Sequence, residues 1–169
     1  MKKRDWLLEN LQQLKISLKW IVFAAISGTA VGVVGTLFHF CLAGVTHTRA
    51  EHPWLIWLLP FGGLLIIGAY HLLQHEKDSG TNLVLSSIHS GDRLPLRMAP
   101  LIFLSTLITH LLGGSAGREG AALQLGGSIG SAIGRRFGFD EKDRNIMTMC
   151  SMSAAFSALF GTPLAAATF

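Results

Sequence analysis

Four long stretches of this chain contain no Asp, Glu, Lys or Arg: residues 20–45, 53–73, 98–117 and 145–169, of 26, 21, 20 and 25 residues. About 20 apolar residues cross the hydrocarbon core of a bilayer as a helix. A water-soluble chain of 169 residues would have to pack several such uncharged helices around one small core. The pattern predicts an all-α integral membrane protein instead. Composition agrees, with 50% hydrophobic and 14% charged residues and a mean hydropathy of +0.45.

The net charge of +4 raises the question of a nucleic-acid partner. The distribution of charge argues against one. With the amino end cytoplasmic and each long stretch crossing once, Lys2, Lys3, Arg4, Lys15, Lys19, Lys77, Arg93, Arg97, Arg135, Arg136, Lys142 and Arg144 fall inside, and only Arg49 and Arg118 outside. Twelve against two is the positive-inside pattern of a multi-pass protein in the plasma membrane. Residues 1–19 are mixed polar and lack the short apolar core and small-residue cleavage site of a signal peptide. They read as a cytoplasmic amphipathic segment lying at the interface, ahead of a transmembrane domain over 20–169. Cys41 and Cys150 lie in apolar runs and read as small buried hydrophobes, not as a disulfide or metal site.

Inside the spans, Gly28, Gly32 and Gly35 form a small-residue stripe suited to close helix contact. Residues 46–52 read as a short outer loop, and Pro60 with Gly62-Gly63 as a kink. Residues 81–90 are too short to span and read as a half-helix opening at Ser79-Gly80-Thr81-Asn82. A helix is expected from about Gly120 to Phe137, with glycines at 126, 130 and 134 forming a flat packing ridge. Asp140 is placed to cap the next helix. Gly161-Thr162-Pro163 should end that helix and start another. The chain stops at Phe169, six residues into this last helix and with no polar tail, which reads as a truncated product.

Nine of the ten carboxylates lie in polar flanks. Glu119 instead interrupts a run from 98 to 134 whose only other charge is Arg118. An ionisable residue at that depth is costly and marks an ion or proton path. It sits in Gly113-Gly114-Ser115-Ala116-Gly117-Arg118-Glu119-Gly120, where a helix should break and restart. A restarting helix presents unpaired N–H groups and a positive dipole end, which bind an anion without a full positive charge. A plain salt bridge to Arg118 is a poor alternative, because adjacent helical residues do not face each other. Ser79-Gly80 has the alternative of an ordinary helix cap.

A different chemistry is also written here. Gly113-Gly114-Ser115-Ala116-Gly117 fits the G-x-S-x-G elbow, which would make an intramembrane serine hydrolase using Ser115. That motif needs a strand before the serine and a histidine after it; the last histidine is His110. His39, His71 and His110 lie in apolar runs without ligand spacing and read as buried, hydrogen-bonded residues. No metal or other cofactor is expected. A helix bundle without transport activity is the remaining alternative.

The segment Gly117-Arg118-Glu119-Gly120-Ala121-Ala122-Leu123-Gln124-Leu125-Gly126-Gly127 resembles the GREGP-x-x-Q-x-G-G signature of the CLC family of chloride channels and halide/proton antiporters. Ser79-Gly80 stands 40 residues before Glu119, where that family has its GSGIP half-helix. Gly161-Thr162-Pro163-Leu164-Ala165 stands where it has an Asn-Ala-Pro-Leu-Ala turn. The resemblance spans roughly residues 20–169. It implies most of the first of two inverted repeats, made of broken and half-spanning helices. It implies halide transport coupled to protons (fluoride or chloride/proton antiport), or a chloride channel, in a protein that is homodimeric at full length. Glu119 would match the gating glutamate, which occupies an anion site and swings away on protonation. Ser79, Gly80, Thr81, Asn82, Gly117, Arg118, Gly120 and Ala121 would line the anion path. Two departures, Thr81-Asn82 for Ile-Pro and Ala121 for Pro, resemble the fluoride/proton antiporter branch and place fluoride ahead of chloride.

Overall fold

The computed structural model describes residues 2–72 and 94–168, with side chains from residue 10 onward. Six α-helices follow in chain order: α1 (Lys2–Glu51), α2 (Leu59–Leu72), α3 (Met98–Leu111), α4 (Arg118–Arg136), α5 (Glu141–Phe160) and α6 (Pro163–Thr168). A 3-10 helix, Pro53–Leu58, precedes α2. The half-helix expected over 81–90, with Ser79, Gly80, Thr81 and Asn82, lies outside the described residues.

The first helix is longer than its apolar run. It continues unbroken through Lys19 and Trp20 and through 46–51, where an interfacial segment and an outer loop were expected. Backbone hydrogen bonding inside a helix does not depend on lipid, so a helix need not end where hydropathy does. Thr46 and Thr48 donate to the carbonyls four residues back, Leu42 at 2.7 Å and Gly44 at 3.0 Å, so their hydroxyls find partners within the continuing helix. The turn comes at His52-Pro53. α2 runs through Pro60–Gly63, where a kink was expected, without an interruption of its helix, and the change of helix type falls at Leu58–Leu59.

The core forms where α1, α3, α4 and α5 meet. Phe38 from α1, Met98, Ala99 and Ile102 from α3, Ala121, Ala122 and Leu125 from α4, and Met152 and Leu159 from α5 are all buried there. α4 and α5 lie against each other over most of their length. Gly126 and Gly130 make this possible, because an added Cβ at either would meet Ser151. At Gly126 it would also lie 2.9 Å from the Met152 Cα, and at Gly130 2.8 Å from the Met147 carbonyl oxygen. In α1 the expected glycine stripe reduces to one position. A Cβ added at Gly35 would lie 2.9 Å from the Ala158 Cβ, while one at Gly28 or Gly32 would meet nothing within 4 Å among the described residues.

The ends of α5 form as expected. Asp140 accepts a hydrogen bond from the Asp143 amide at 2.8 Å, and Gly161 takes φ 67° to end the helix before Pro163. Two other expectations are corrected. Cys150 is exposed and Cys41 is only half-buried, so apolar surroundings in the sequence do not bury either thiol in the core. His39 and His71 are exposed, whereas His110 is half-buried with Nδ1 2.9 Å from the Thr106 carbonyl oxygen.

Basic residues collect at one end of this bundle. Lys19 pairs with Asp143 at 2.7 Å, and Trp20 and Phe23 pack edge-on against Phe139. Arg135 donates to the Leu94 carbonyl at 2.8 Å, tying the residues before α3 to the same end. At the other end, Arg49 from the last turn of α1 lies against Gly113, just beyond α3.

Candidate functional site

The chain breaks its helix between α3 and α4, at Leu112–Gly117. Gly113 has φ 82°, a conformation glycine adopts without strain. The amides of Leu112, Gly113 and Gly114 close the end of α3 by bonding the carbonyls of Ile108, His110 and Thr109. Beyond them, the amides of Ser115, Ala116 and Gly117 have no backbone acceptor among the described residues. The first amides of α4 follow directly, and no side chain caps them. A run of free N–H groups therefore leads into the positive end of a 19-residue helix.

α4 starts at Arg118, two residues earlier than the sequence suggested, with Gly117 as its N-cap at φ −72° and ψ 123°. Glu119 thus stands inside the first turn. Gly117, Arg118 and Glu119 are exposed on this chain, and Gly120 is half-buried. Among the described residues Glu119 makes no ion pair with Arg118 or with any other cation. Ala121 is different. Its side chain is 6% exposed and belongs to the core with Met98 and Ile102, so it offers an anion nothing but its backbone.

Ser115 is exposed in the turn after helix α3, not on a strand-to-helix elbow. The strand that a serine nucleophile requires is absent at that point. Further along α4, Gln124, Ser128 and Ser131 share one face with Arg135, which donates to the Ser131 hydroxyl at 2.7 Å. The residue sequence reasoning passed over is Arg49. Its Nε is buried without a hydrogen-bond partner, beside Gly113 in the turn that precedes α4. The signal was present in the charge count, where Arg49 and Arg118 were the two cations on the outer side.

Residues 62–169 match the family described as voltage gated chloride channel. The chain belongs to this family. It is 40% identical over 162 residues to the chloride/fluoride channel protein of Pseudomonas syringae pv. tomato, covering 95% of this chain and 36% of that one. It is 27% identical to the H(+)/Cl(-) exchange transporter ClcA of Salmonella paratyphi B, covering 100% of this chain and 39% of that one. The crystal structure of a CLC-type fluoride/proton antiporter superposes with a TM-score of 0.80 at 35% identity, over 86% of this chain and 37% of that chain. The all-α architecture is accordingly part of the CLC fold, in an integral membrane protein. The chain spans little more than a third of the length of these relatives.

Proposed function

We propose that the protein carries halide anions across the plasma membrane in exchange for protons, fluoride ahead of chloride, with Glu119 as the gate. The observation that carries this reading is the restart of the chain at Arg118. Free amides precede it, and the carboxylate of Glu119 stands in its first turn. Depth supports it too. α3 has 14 residues, about 21 Å of helix, against a hydrocarbon core of about 30 Å. With Arg97 at the inner boundary, the turn that follows α3 lies within the membrane. Irregular backbone is tolerated there only where it is buried in protein or lines a cavity. The relatives named for chloride, fluoride and proton exchange point the same way.

In this reading the amino end is cytoplasmic, and Ser79, Gly80, Thr81 and Asn82 supply a second set of anion contacts. Fluoride is small and strongly hydrated, and the Thr81 hydroxyl and Asn82 amide add donors for it. The working unit is a homodimer in lipid. Ionised Glu119 occupies the outer anion position, and protonated Glu119 leaves it. Glu119→Gln removes the charge with little change of volume. In proteoliposomes holding the protein from its native reading frame, this variant should lose halide-driven proton uptake altogether. A variant that still moves protons uphill would remove Glu119 from the gate. Ion-selective electrodes compare fluoride with chloride in the same vesicles, and equal or faster chloride flux would reverse the order of the two.

A further inference from the structure

We infer that Arg49 is an anion-capturing side chain at the outer mouth, holding a halide ion before it reaches the amides at the start of α4. The inference rests on the transport reading above and deepens it. Arg49 lies in the last turn of α1, and Gly113 lies just past the end of α3. A Cβ placed on Gly113 would be 2.6 Å from the Arg49 Nε and 3.1 Å from one terminal nitrogen. The missing side chain is thus what admits the guanidinium to this seat.

The seat does not satisfy the charge. The Nε is buried and has no hydrogen-bond partner. Among the described residues Arg49 makes no hydrogen bond or ion pair. The nearby carboxylate on α1, Glu51, lies 3.6 Å from His47 instead. A cation at a helix C-terminus gains some stabilisation from the dipole, and a long side chain can reach water. Neither accounts for a desolvated Nε without an acceptor. Burying a guanidinium donor unpaired is costly. With the Nε packed under Gly113, the group meets solution through its terminal nitrogens, and a small anion bound there offsets part of the cost of burying the charge. An arginine presents several donors in a fixed planar fork, so a small anion can bind its edge while the stem stays packed. Past Gly113 the chain continues into the free amides of Ser115, Ala116 and Gly117. A halide held at Arg49 therefore stands beside the segment that leads to Glu119.

The test uses the protein from its native reading frame and separates capture from transport. Arg49→Met keeps the packed stem and removes the donors; Arg49→Lys keeps the charge and removes the fork. Halide flux is measured against halide concentration, and equilibrium binding of sodium fluoride and sodium chloride is titrated in detergent. Arg49→Met should raise the half-saturating concentration roughly tenfold, what one charge-assisted hydrogen bond is worth, with the maximal rate unchanged. Arg49→Lys should fall between Met and wild type. An unchanged half-saturation and unchanged affinity in Arg49→Met would overturn the inference. So would a reduced maximal rate at constant half-saturation, which is the signature of a turn that is only mispositioned. If Arg49→Met does not accumulate, Arg49→Gln replaces it with the same expected outcomes. A wild-type protein that binds halide through Arg49 without moving it would sink the transport reading and leave the capture site standing.

Discussion

Gly117 has an ordinary φ of −72°, and an added Cβ would find nothing within 4 Å. Neither strain nor crowding requires glycine there. Gly113 is the contrast, since its φ of 82° is one that side chains rarely adopt and a Cβ there would displace the Arg49 guanidinium. What glycine does provide at 117 is open access to the amides on either side of it, which is how backbone comes close to a ligand. Gly117→Ala should then leave thermal stability in detergent within about 0.5 kcal/mol, as an exposed substitution free of clashes does. It should nevertheless slow halide flux. A variant equally fast and equally stable would mean that the anion does not approach the backbone at this residue. Glu119 illustrates how far single residues were readable. Its isolation among apolar neighbours was plain in the sequence, because charge is local. Its position inside the first turn was not, because that depends on where the Leu112–Gly117 turn finishes.

The same distinction holds for whole helices. α4, the Asp140 cap and the stop at Gly161 were legible because each rests on local chemistry: glycine spacing, a carboxylate before the first turn, a left-handed residue before proline. The extent of α1 was not legible, since hydropathy marks the edge of the lipid and a helix can run past it. Nor was it visible which glycines touch a neighbour, because that needs the facing helix. The α4–α5 pair is therefore the place to test packing. Gly130→Ala would drive a methyl into Ser151 and to 2.8 Å from the Met147 carbonyl oxygen, and backbone cannot yield as a flexible side chain can. The variant should lose about 1–3 kcal/mol, the range for an overpacked interior, seen as a lower unfolding temperature in detergent. Gly28→Ala and Gly32→Ala, with open space around them, should be tolerated. A destabilised Gly32→Ala beside a neutral Gly130→Ala would mean that α1, not α5, carries the close glycine contact.

At the scale of the molecule, the charges sort by end. Lys19 and Asp143 meet at one end together with Arg135, and Arg49 meets the Gly113 turn at the other. Lys19 and Arg49 are 30 residues apart on one helix, about 45 Å, close to the full thickness of a bilayer with its headgroups. Within α4, Arg118 and Arg136 are separated by about 27 Å of helix, a little less than the thickness of the hydrocarbon core. α4 should therefore leave Ser115 open to the outer solution through the cavity that the turn before it lines, and Lys142 open to the inner solution, with the basic side cytoplasmic by the positive-inside rule. Ser115, Glu51, Arg136 and Lys142 are all exposed on the chain, so single cysteines there, in a background lacking Cys41 and Cys150, should react without disturbing the core. In intact cells, a membrane-impermeant maleimide should label positions 51 and 115 and spare 136 and 142. Opening the cells should expose the latter pair. Labelling of 115 and 142 from the same side would contradict a membrane-crossing α4, and with it the placement of Glu119 on a path between the two solutions.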